Sequence, residues 1–135
     1  MCGIWGYFNI TKTSISSYFL EKEFFKIKNR GPDNSKFLEI KNNNFIGFHR
    51  LSIMDKSFHG NQPFITKLNN RTIYTIINGE IYNYQNLLKK YNFSPKSKSD
   101  CEIIHLFYIN NMLEKHMKEI EGEFSIAIID INHKK

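Results

Sequence analysis

Cysteine is scarce in this 135-residue chain, which contains only Cys2 and Cys101. A disulfide-stapled secreted domain needs more cysteines, so this count favours a reducing, cytoplasmic setting. The features of a signal peptide are also absent, because the first ten residues include Gly3, Gly6 and Asn9 and have no basic n-region. No segment approaches the ~20 apolar residues of a membrane span. We therefore expect a cytoplasmic protein without a membrane partner.

Motifs for several ligand classes are absent as well. The five histidines show no metal-ligand spacing with the two cysteines, and there is no glycine-rich phosphate loop. We therefore expect no metal and no cofactor in this chain. The formal charge of +6 comes from scattered lysines, and no nucleic-acid-binding motif accompanies them. Lys, Asn and Ile are abundant together, as an AT-rich coding bias would produce. We therefore attribute the positive charge to lysines on a solvated surface and expect no nucleic-acid partner.

The composition is that of a folded domain. Hydrophobic residues make up 41% of the chain and aromatics 15%, and 135 residues suffice for one buried core. The patterns predict strands over 3–8, 37–40, 45–53, 71–77 and 122–131, and helices over 17–29, 83–91 and 112–119. The strands over 37–40 and 45–53 are expected to pair around a turn at 42–44, and Ser16 or Ser17 is expected to cap the helix over 17–29. A further helix is predicted to open with a capping box, Ser99-x-x-Glu102. Strands with helices between them indicate an α+β or layered α/β/α domain.

Three local features complete this prediction. Asn78-Gly79 is a turn signal and is expected to end the strand before it. The run over 122–131 is almost continuously apolar, which is typical of a strand covered on both faces. A solvated turn is expected to contain the acidic residues Glu119, Glu121 and Glu123.

Cys2 offers chemistry if the initiator Met1 is removed, as is normal before a small residue. The mature chain would then carry a thiol and a free α-amine on one residue. The thiolate is the nucleophile, and an α-amine with a pKa near 7.7–8.0 is partly unprotonated at neutral pH, so it can act as the local base. Cys2 is therefore a candidate for covalent catalysis.

Seven motifs stand in one order along the chain. They are Cys2-Gly3-Ile4-Trp5-Gly6, Arg30-Gly31-Pro32-Asp33, Arg50-Leu51-Ser52-Ile53, Gln62-Pro63, Asn78-Gly79-Glu80-Ile81-Tyr82-Asn83, Ser99-Asp100-Cys101-Glu102 and Gly122-Glu123-Phe124. The set resembles the glutaminase half of glutamine-dependent asparagine synthetases, which are class II glutamine amidotransferases of the N-terminal-nucleophile (Ntn) hydrolase type. This resemblance covers Cys2 to about Asp130. It implies an α+β fold, a layered αββα sandwich of antiparallel sheets. Asn29 and Lys36 stand where the family often has His and Gly.

The resemblance implies the catalytic residues. Cys2 attacks the side-chain amide of L-glutamine, and the Asn78 side-chain amide with the Gly79 backbone N–H stabilises the resulting oxyanion. A glycine at 79 would also let the backbone approach the substrate closely. No histidine base is needed in this family, so His49 is not expected to form a dyad with Cys2. Cys101 is expected to be a small core residue.

The resemblance also implies how glutamine is held. Arg50 is expected to bind the α-carboxylate through its planar fork. Asp100, with Glu80 beside it, is expected to bind the α-ammonium, although an acid near a helix N-terminus also stabilises the helix. The remaining wall of the glutamine site is expected to be the backbone of Leu51, Ser52, Ile53 and Met54.

The resemblance leaves the partners open. Residues 2–135 are expected to form one glutaminase domain that is C-terminally incomplete, leaving a sheet edge unpaired, with the synthetase domain absent from this chain. ATP and Mg²⁺ are expected only in that missing domain, which accepts the ammonia in the same longer chain or as a separate one. A homodimer is left open. Two alternatives remain: a related amidotransferase that feeds another acceptor, and a non-catalytic module keeping the fold.

Overall fold

A computed structural model describes residues 1–11, 13 and 15–132 of the chain. They fall into two units, Met1–Leu51 and Ser52–Lys135, each with one three-stranded sheet. Every strand pairing in the two sheets is antiparallel, and the helices lie between strands along the chain. The predicted α+β class with antiparallel sheets is therefore confirmed.

The first unit is a sheet with the strand order β1-β3-β2 and one helix. Its elements are β1 (Gly3–Tyr7), α1 (Ser17–Phe25), a 3₁₀ turn (Lys28–Arg30), β2 (Asn34–Lys41) and β3 (Asn44–Arg50). The predicted pairing of β2 with β3 is confirmed, and Asn42 and Asn43 turn between them at positive φ, which asparagine tolerates better than most residues. β3 ends at Arg50 and not at the predicted Ile53.

Helix α1 begins where the sequence predicts and ends earlier. The Ser16 hydroxyl accepts a hydrogen bond from the Phe19 N–H at 3.3 Å, so the predicted cap is confirmed. The α-helix ends at Phe25, and the segment up to the predicted end at Asn29 continues into the 3₁₀ turn.

Phe24 anchors α1 to the sheet of the first unit. Leu20 and Phe24, four residues apart, form the buried face of the helix. A Cβ at Gly47 of β3 would lie 2.4 Å from the Phe24 ring, so the glycine makes room for that ring. The same ring stacks on the imidazole of His49 with 3.9 Å between their centroids. This packing fixes the end of β3 that leads to Arg50.

The second unit is a sheet with the strand order β4-β5-β6, and helices cover its buried apolar residues. Its elements are a 3₁₀ turn (Phe58–Gly60), β4 (Phe64–Leu68), β5 (Arg71–Ile81), α2 (Tyr84–Lys90), α3 (Glu102–Ile109), α4 (Leu113–His116), a second 3₁₀ turn (Met117–Glu119) and β6 (Gly122–Asn132). The core is formed by Phe64, Ile77, Ile81, Leu87, Cys101, Ile103, Ile104 and Phe107. The expected core position of Cys101 is confirmed.

The prediction that Asn78-Gly79 ends its strand is wrong. β5 continues to Ile81, and its pairing with β6 runs through Gly79 opposite Phe124 to Ile81 opposite Gly122. A Cβ at Gly79 would lie 2.1 Å from the Glu123 carbonyl oxygen, and Gly79 has a φ of 156°. The glycine therefore permits close pairing with β6, a tertiary cause that a local turn signal cannot reveal.

The predicted capping box at α3 is also wrong. The Glu102 carboxylate accepts hydrogen bonds from the Lys96 N–H at 2.9 Å and from the Ser97 N–H at 2.7 Å. The Ser99 N–H, which Glu102 would bind in a capping box, donates to the Ser97 hydroxyl at 3.1 Å. Glu102 is 4% exposed, so its carboxylate instead satisfies the buried backbone of the preceding loop.

β6 confirms the strand predicted for this run, and within the described residues it pairs with β5. Phe124, Ile126 and Ile128 pack against the core from one face. The opposite face changes from the exposed Glu123 and Ser125 to residues 127, 129 and 131, which are half-buried. Coverage of both faces stays a prediction.

Glu119 is not part of a solvated turn, contrary to prediction. Its carboxylate binds the Lys90 ammonium at 2.7 Å, His116 Nδ1 at 2.9 Å and the Tyr91 hydroxyl at 2.7 Å. These bonds, the one to Lys90 most of all, lower the pKa of Glu119 to about 2. The charge is thus fixed between α2 and α4, whereas Glu121 and Glu123 are exposed as expected.

His105 ties α3 to both β4 and β5. Its Nε2 lies 2.8 Å from the Thr66 hydroxyl and its Nδ1 lies 2.8 Å from the Thr75 hydroxyl. Burial lowers the pKa of His105 to about 4. The imidazole is therefore neutral near pH 7 and holds the helix to the sheet.

No helix among the described residues is both long and apolar enough to cross a membrane.

Candidate functional site

Cys2 immediately precedes β1 and lies next to the residue that follows β3. The Leu51 N–H donates to Cys2 Sγ at 3.3 Å, and the sulfur lies 3.7 Å from the Leu51 carbonyl oxygen. Cys2 is half-buried, and Met1 before it is 73% exposed. The thiol is therefore fixed in position, while Met1 is accessible to an aminopeptidase.

Arg30 also contacts the segment that contains Cys2, a contact that the sequence does not predict. Its Nε donates to the Cys2 carbonyl oxygen at 3.0 Å. A Cβ at Gly31 would lie 2.2 Å from the His49 carbonyl oxygen, so the turn after Arg30 packs tightly against β3. The motif Arg30-Gly31-Pro32-Asp33 predicts a turn that ends the first helix, but it does not show which segment the arginine side chain contacts.

Arg50 is the last residue of β3, and its side chain is 6% exposed. The Asp33 N–H donates to the Arg50 carbonyl oxygen at 3.0 Å, which fixes the backbone at this point. A buried arginine thus ends the strand beside Cys2, and a guanidinium is a group whose planar fork can bind a carboxylate.

His49, beside Arg50, has both ring nitrogens engaged inside the first unit. Nε2 donates to the Phe24 carbonyl oxygen at 3.0 Å, and Nδ1 lies 2.7 Å from the Ser35 hydroxyl. His49 therefore holds α1 and β2 to β3, which is a structural role.

Asn78 and Gly79 lie in the last third of β5. The Asn78 Oδ1 atom is buried and has no hydrogen-bond partner in the described part of the chain, which is uncommon for a buried amide. The Gly79 carbonyl oxygen accepts from Cys101 Sγ at 3.5 Å. Backbone groups two residues apart point to the same side of a strand, so the Gly79 N–H points to the same side as the N–H groups of Ile77 and Ile81.

Asp100 reaches this same stretch of β5. The residue is 7% exposed, and its Oδ2 accepts from the Ile81 N–H at 2.7 Å. Among the described residues, its other carboxylate oxygen has no further hydrogen bond. Glu80, one residue earlier on the strand, is exposed. The structure thus places one fixed carboxylate at Ile81, two residues after Gly79 on β5.

The loop predicted to line the glutamine site borders a cavity of about 710 Å³ in the second unit. Ile53 and Met54 line it and are 60% and 54% exposed, while Ser52 is half-buried. The neighbouring Asp55 is buried and holds the loop, because its carboxylate accepts from the Ser57 N–H at 2.7 Å and the Lys98 N–H at 2.8 Å. No sequence motif marks Asp55 for this role.

Gln62 is another residue to which sequence analysis gave no role. Its side chain is 6% exposed and binds the backbone of Ile77, the residue before Asn78. The Ile77 N–H donates to Oε1 at 2.7 Å, and Nε2 donates to the Ile77 carbonyl oxygen at 3.1 Å. The only sequence signal was its membership of the Gln62-Pro63 motif.

The predicted site residues fall into two groups, one in each unit. The first unit contains Cys2, Arg50 and Leu51, and the second contains Ser52, Ile53, Met54, Asn78, Gly79, Glu80 and Asp100. Among the described residues, no three His, Cys, Asp or Glu side chains are grouped so that they could hold a metal ion. The predicted residues of the first unit supply a thiol and a guanidinium, and those of the second supply carboxylates and an amide.

Comparison with known proteins agrees with the sequence resemblance. A probable glutamine-hydrolyzing asparagine synthetase of Acanthamoeba polyphaga mimivirus is 41% identical over 108 residues, which is 78% of this chain and 19% of that protein. The glutamine-hydrolyzing asparagine synthetases of Homo sapiens and Bos taurus are each 34% identical over 137 aligned residues, covering 100% of this chain and 24% of each protein. The chain spans about a quarter or less of the length of these relatives.

The family described as glutamine amidotransferase domain matches residues 1–135. The resemblance drawn from the seven motifs is thereby confirmed over the whole chain. The chain belongs to the glutamine amidotransferase domain family.

Proposed function

We propose that this chain hydrolyses L-glutamine to glutamate and ammonia through a thioester on Cys2. The observation that carries the proposal is the placement of Cys2, whose sulfur accepts the Leu51 N–H at 3.3 Å beside the buried Arg50, in a chain of the glutamine amidotransferase domain family. Removal of Met1 would put a free amine on the residue that carries the thiol. That amine is the base the reaction needs.

The reaction runs in two balanced steps. Cys2 Sγ forms a bond to the carboxamide carbon while the Cys2 amine accepts the thiol proton, and the tetrahedral intermediate collapses with cleavage of the C–N bond. The amine returns the proton to the leaving nitrogen, so ammonia departs. Water then attacks the thioester carbon while the Cys2 amine accepts its proton. The C–S bond breaks, the amine returns the proton to the Cys2 sulfur, and glutamate leaves.

Asn78 and Gly79 would stabilise the oxyanion of each tetrahedral intermediate. The donor would be the Asn78 Nδ2 group. The Oδ1 atom of the same buried amide has no partner among the described residues, which leaves an acceptor for an N–H group of the ligand. The Gly79 N–H points to the side of β5 on which Asp100 binds Ile81. Preorganised donors of this kind stabilise a transition state by about 3–4 kcal/mol each.

Arg50 and Asp100 would recognise the two charges of glutamine. The Arg50 guanidinium offers a bidentate fork for the α-carboxylate, and the second oxygen of Asp100 is suited to the α-ammonium, with Glu80 nearby. The backbone of Leu51 and the loop Ser52, Ile53 and Met54 would form the wall beside them.

The ammonia would be used by a synthetase domain. The relatives in the comparison are asparagine synthetases, so we propose that the acceptor is ATP-activated aspartate, either in a longer version of this chain or in a separate one. ATP and Mg²⁺ belong to that synthetase domain in this proposal. The residues described above require only glutamine and water.

The test is a glutaminase assay on the chain, with removal of Met1 checked by intact mass. We expect glutamate and ammonia to appear in equal amounts, and Cys2→Ala to abolish both. Cys101→Ala is the matched control, because it removes the other thiol and should keep the activity. Glutamine turnover that persists in Cys2→Ala would contradict the proposal, as would a trimmed, folded wild-type chain without turnover.

A further inference from the structure

The Gln62 side chain replaces the backbone hydrogen bonds that a continuation of β4 would make to β5. The pairing of β4 with β5 begins with Phe64 opposite Thr75, so continued register would put residue 62 opposite Ile77. There the Gln62 side chain, not its backbone, bonds both the N–H and the carbonyl oxygen of Ile77. A side-chain amide thus satisfies the backbone groups that β4 leaves unpaired.

Two side chains bind the backbone of β5 on either side of Asn78-Gly79, and we call each of them a clamp. Gln62 holds Ile77 on one side of this segment, and the Asp100 carboxylate holds the Ile81 N–H on the other. Between the clamps, the backbone of β5 is held on its second edge by pairing with β6. The position of the Asn78 amide and the direction of the Gly79 N–H therefore depend on the clamp at Ile77.

We propose that Gln62 is a positioning residue that fixes the Asn78 amide and the Gly79 N–H where an oxyanion develops. This inference rests on the proposed function, because those two donors act only during glutamine hydrolysis. Gln62 acts through Ile77 and does not touch the substrate. The position of these donors matters, because a small displacement of an oxyanion donor reduces the stabilisation of the transition state more than it reduces substrate binding.

Gln62→Met tests the proposal against a matched control. The substitution keeps the volume of the side chain and removes both hydrogen bonds to Ile77. Asn83→Leu is the control, because Asn83 is a similar clamp elsewhere: its Nδ2 donates to the Glu119 carbonyl oxygen at 2.8 Å, and its Oδ1 accepts from the Glu121 N–H at 3.1 Å. Gln62→Asn is a milder second variant that keeps a buried amide with a shorter reach.

The expected result is a split between kcat and KM. Gln62→Met should lower kcat for glutamine hydrolysis by about 10- to 100-fold, while KM changes by less than about threefold. Asn83→Leu should lower the melting temperature about as much as Gln62→Met does, but it should leave kcat within about twofold of the wild-type value. If Gln62→Met does not fold, the same split is expected, at smaller size, in Gln62→Asn. Equal kcat losses in the Gln62 and Asn83 variants, or unchanged kcat in a folded Gln62 variant, would overturn the proposal.

An NMR readout separates this proposal from the proposed function. The side-chain amide resonance of Asn78, assigned through Asn78→Asp, should shift in the Gln62 variants and stay in place in Asn83→Leu. That measurement needs no turnover. An inactive wild-type chain with the expected shifts would contradict glutamine hydrolysis and support the clamp, whereas an unmoved Asn78 resonance would overturn the clamp even in an active enzyme.

Discussion

Asp100 illustrates how one side chain can serve structure and recognition together. One carboxylate oxygen accepts the Ile81 N–H at 2.7 Å, which joins the start of α3 to the end of β5. The other has no hydrogen bond among the described residues, so it can accept the ammonium of a substrate. The side chain is thus oriented before any ligand arrives.

Replacing this carboxylate should affect substrate binding more than folding. Asp100→Asn keeps an oxygen for the Ile81 N–H and removes the negative charge. A hydrogen bond to a charged group contributes about 1.5–3 kcal/mol, so we expect KM for glutamine to rise by about 10- to 100-fold. Steady-state kinetics measure this change. Glu121→Gln is the control, because it removes one negative charge from an exposed side chain. An unchanged KM in Asp100→Asn would show that the ammonium binds elsewhere.

The residues named from sequence and those missed differ in the kind of bond they make. Cys2, Arg50 and Asp100 were identified through motifs whose chemistry can be stated without a structure. Arg30 and Gln62 contribute hydrogen bonds to backbone atoms of distant segments, Cys2 and Ile77. Which backbone atoms lie within their reach depends on strand register, so their side-chain type alone does not predict these roles.

At the level of elements, the close approach of β5 and β6 determines where Asn78 and Gly79, the proposed oxyanion donors, lie. Gly79→Ala would place a Cβ 2.1 Å from the Glu123 carbonyl oxygen at a φ of 156°. We expect a loss of about 1–3 kcal/mol or more in the free energy of unfolding, because the strands must separate. Urea denaturation measures the change.

Gly6→Ala is the matched control for this substitution. At Gly6 the nearest atom to a new Cβ is a Phe8 side-chain atom at 3.3 Å, which can move. Its effect should stay within about 0.5 kcal/mol. Equal destabilisation by the two alanines would contradict the tight pairing of β5 with β6.

The attachment of α3 to the sheet should make stability depend on pH. The pKa of His105 is about 4 in the folded protein because of burial, and about 6.5 in an unfolded chain. Between these values the unfolded state binds more protons, so the free energy of unfolding should fall as the pH is lowered from 6.5 to 4, by at most about 3 kcal/mol. Chemical denaturation across this range measures the slope. His105→Gln should reduce the slope, and an identical slope in the variant would rule out this explanation.

Sequence patterns predicted most elements and failed where tertiary contacts decide. The predicted strand that became β1 and the pairing of β2 with β3 follow from local periodicity and an asparagine turn. Asn78-Gly79 has the composition of a turn but lies in a strand, because β6 occupies the space beside Gly79. Ser99 and Glu102 have the spacing of a capping box, but the buried loop at Ser97 uses the carboxylate instead.

At the scale of the whole molecule, the proposed chemistry draws on residues from both units. The proposed nucleophile and carboxylate-binding residue belong to the first, and the proposed oxyanion donors and ammonium partner belong to the second. The family resemblance carried by the seven motifs implied this set. The chain corresponds to about a quarter or less of its relatives' length, so the acceptor of the ammonia is part of the proposal.

The most direct test of the central claim is the intact mass of the chain before and after incubation with a diazo-ketone analogue of glutamine, which alkylates a nucleophile only from a formed glutamine site. We predict loss of Met1 and a single adduct that is absent in Cys2→Ala and retained in Cys101→Ala. An adduct that survives in Cys2→Ala, or a trimmed and folded chain that takes no adduct, would contradict the assignment of Cys2 as the nucleophile of a glutaminase.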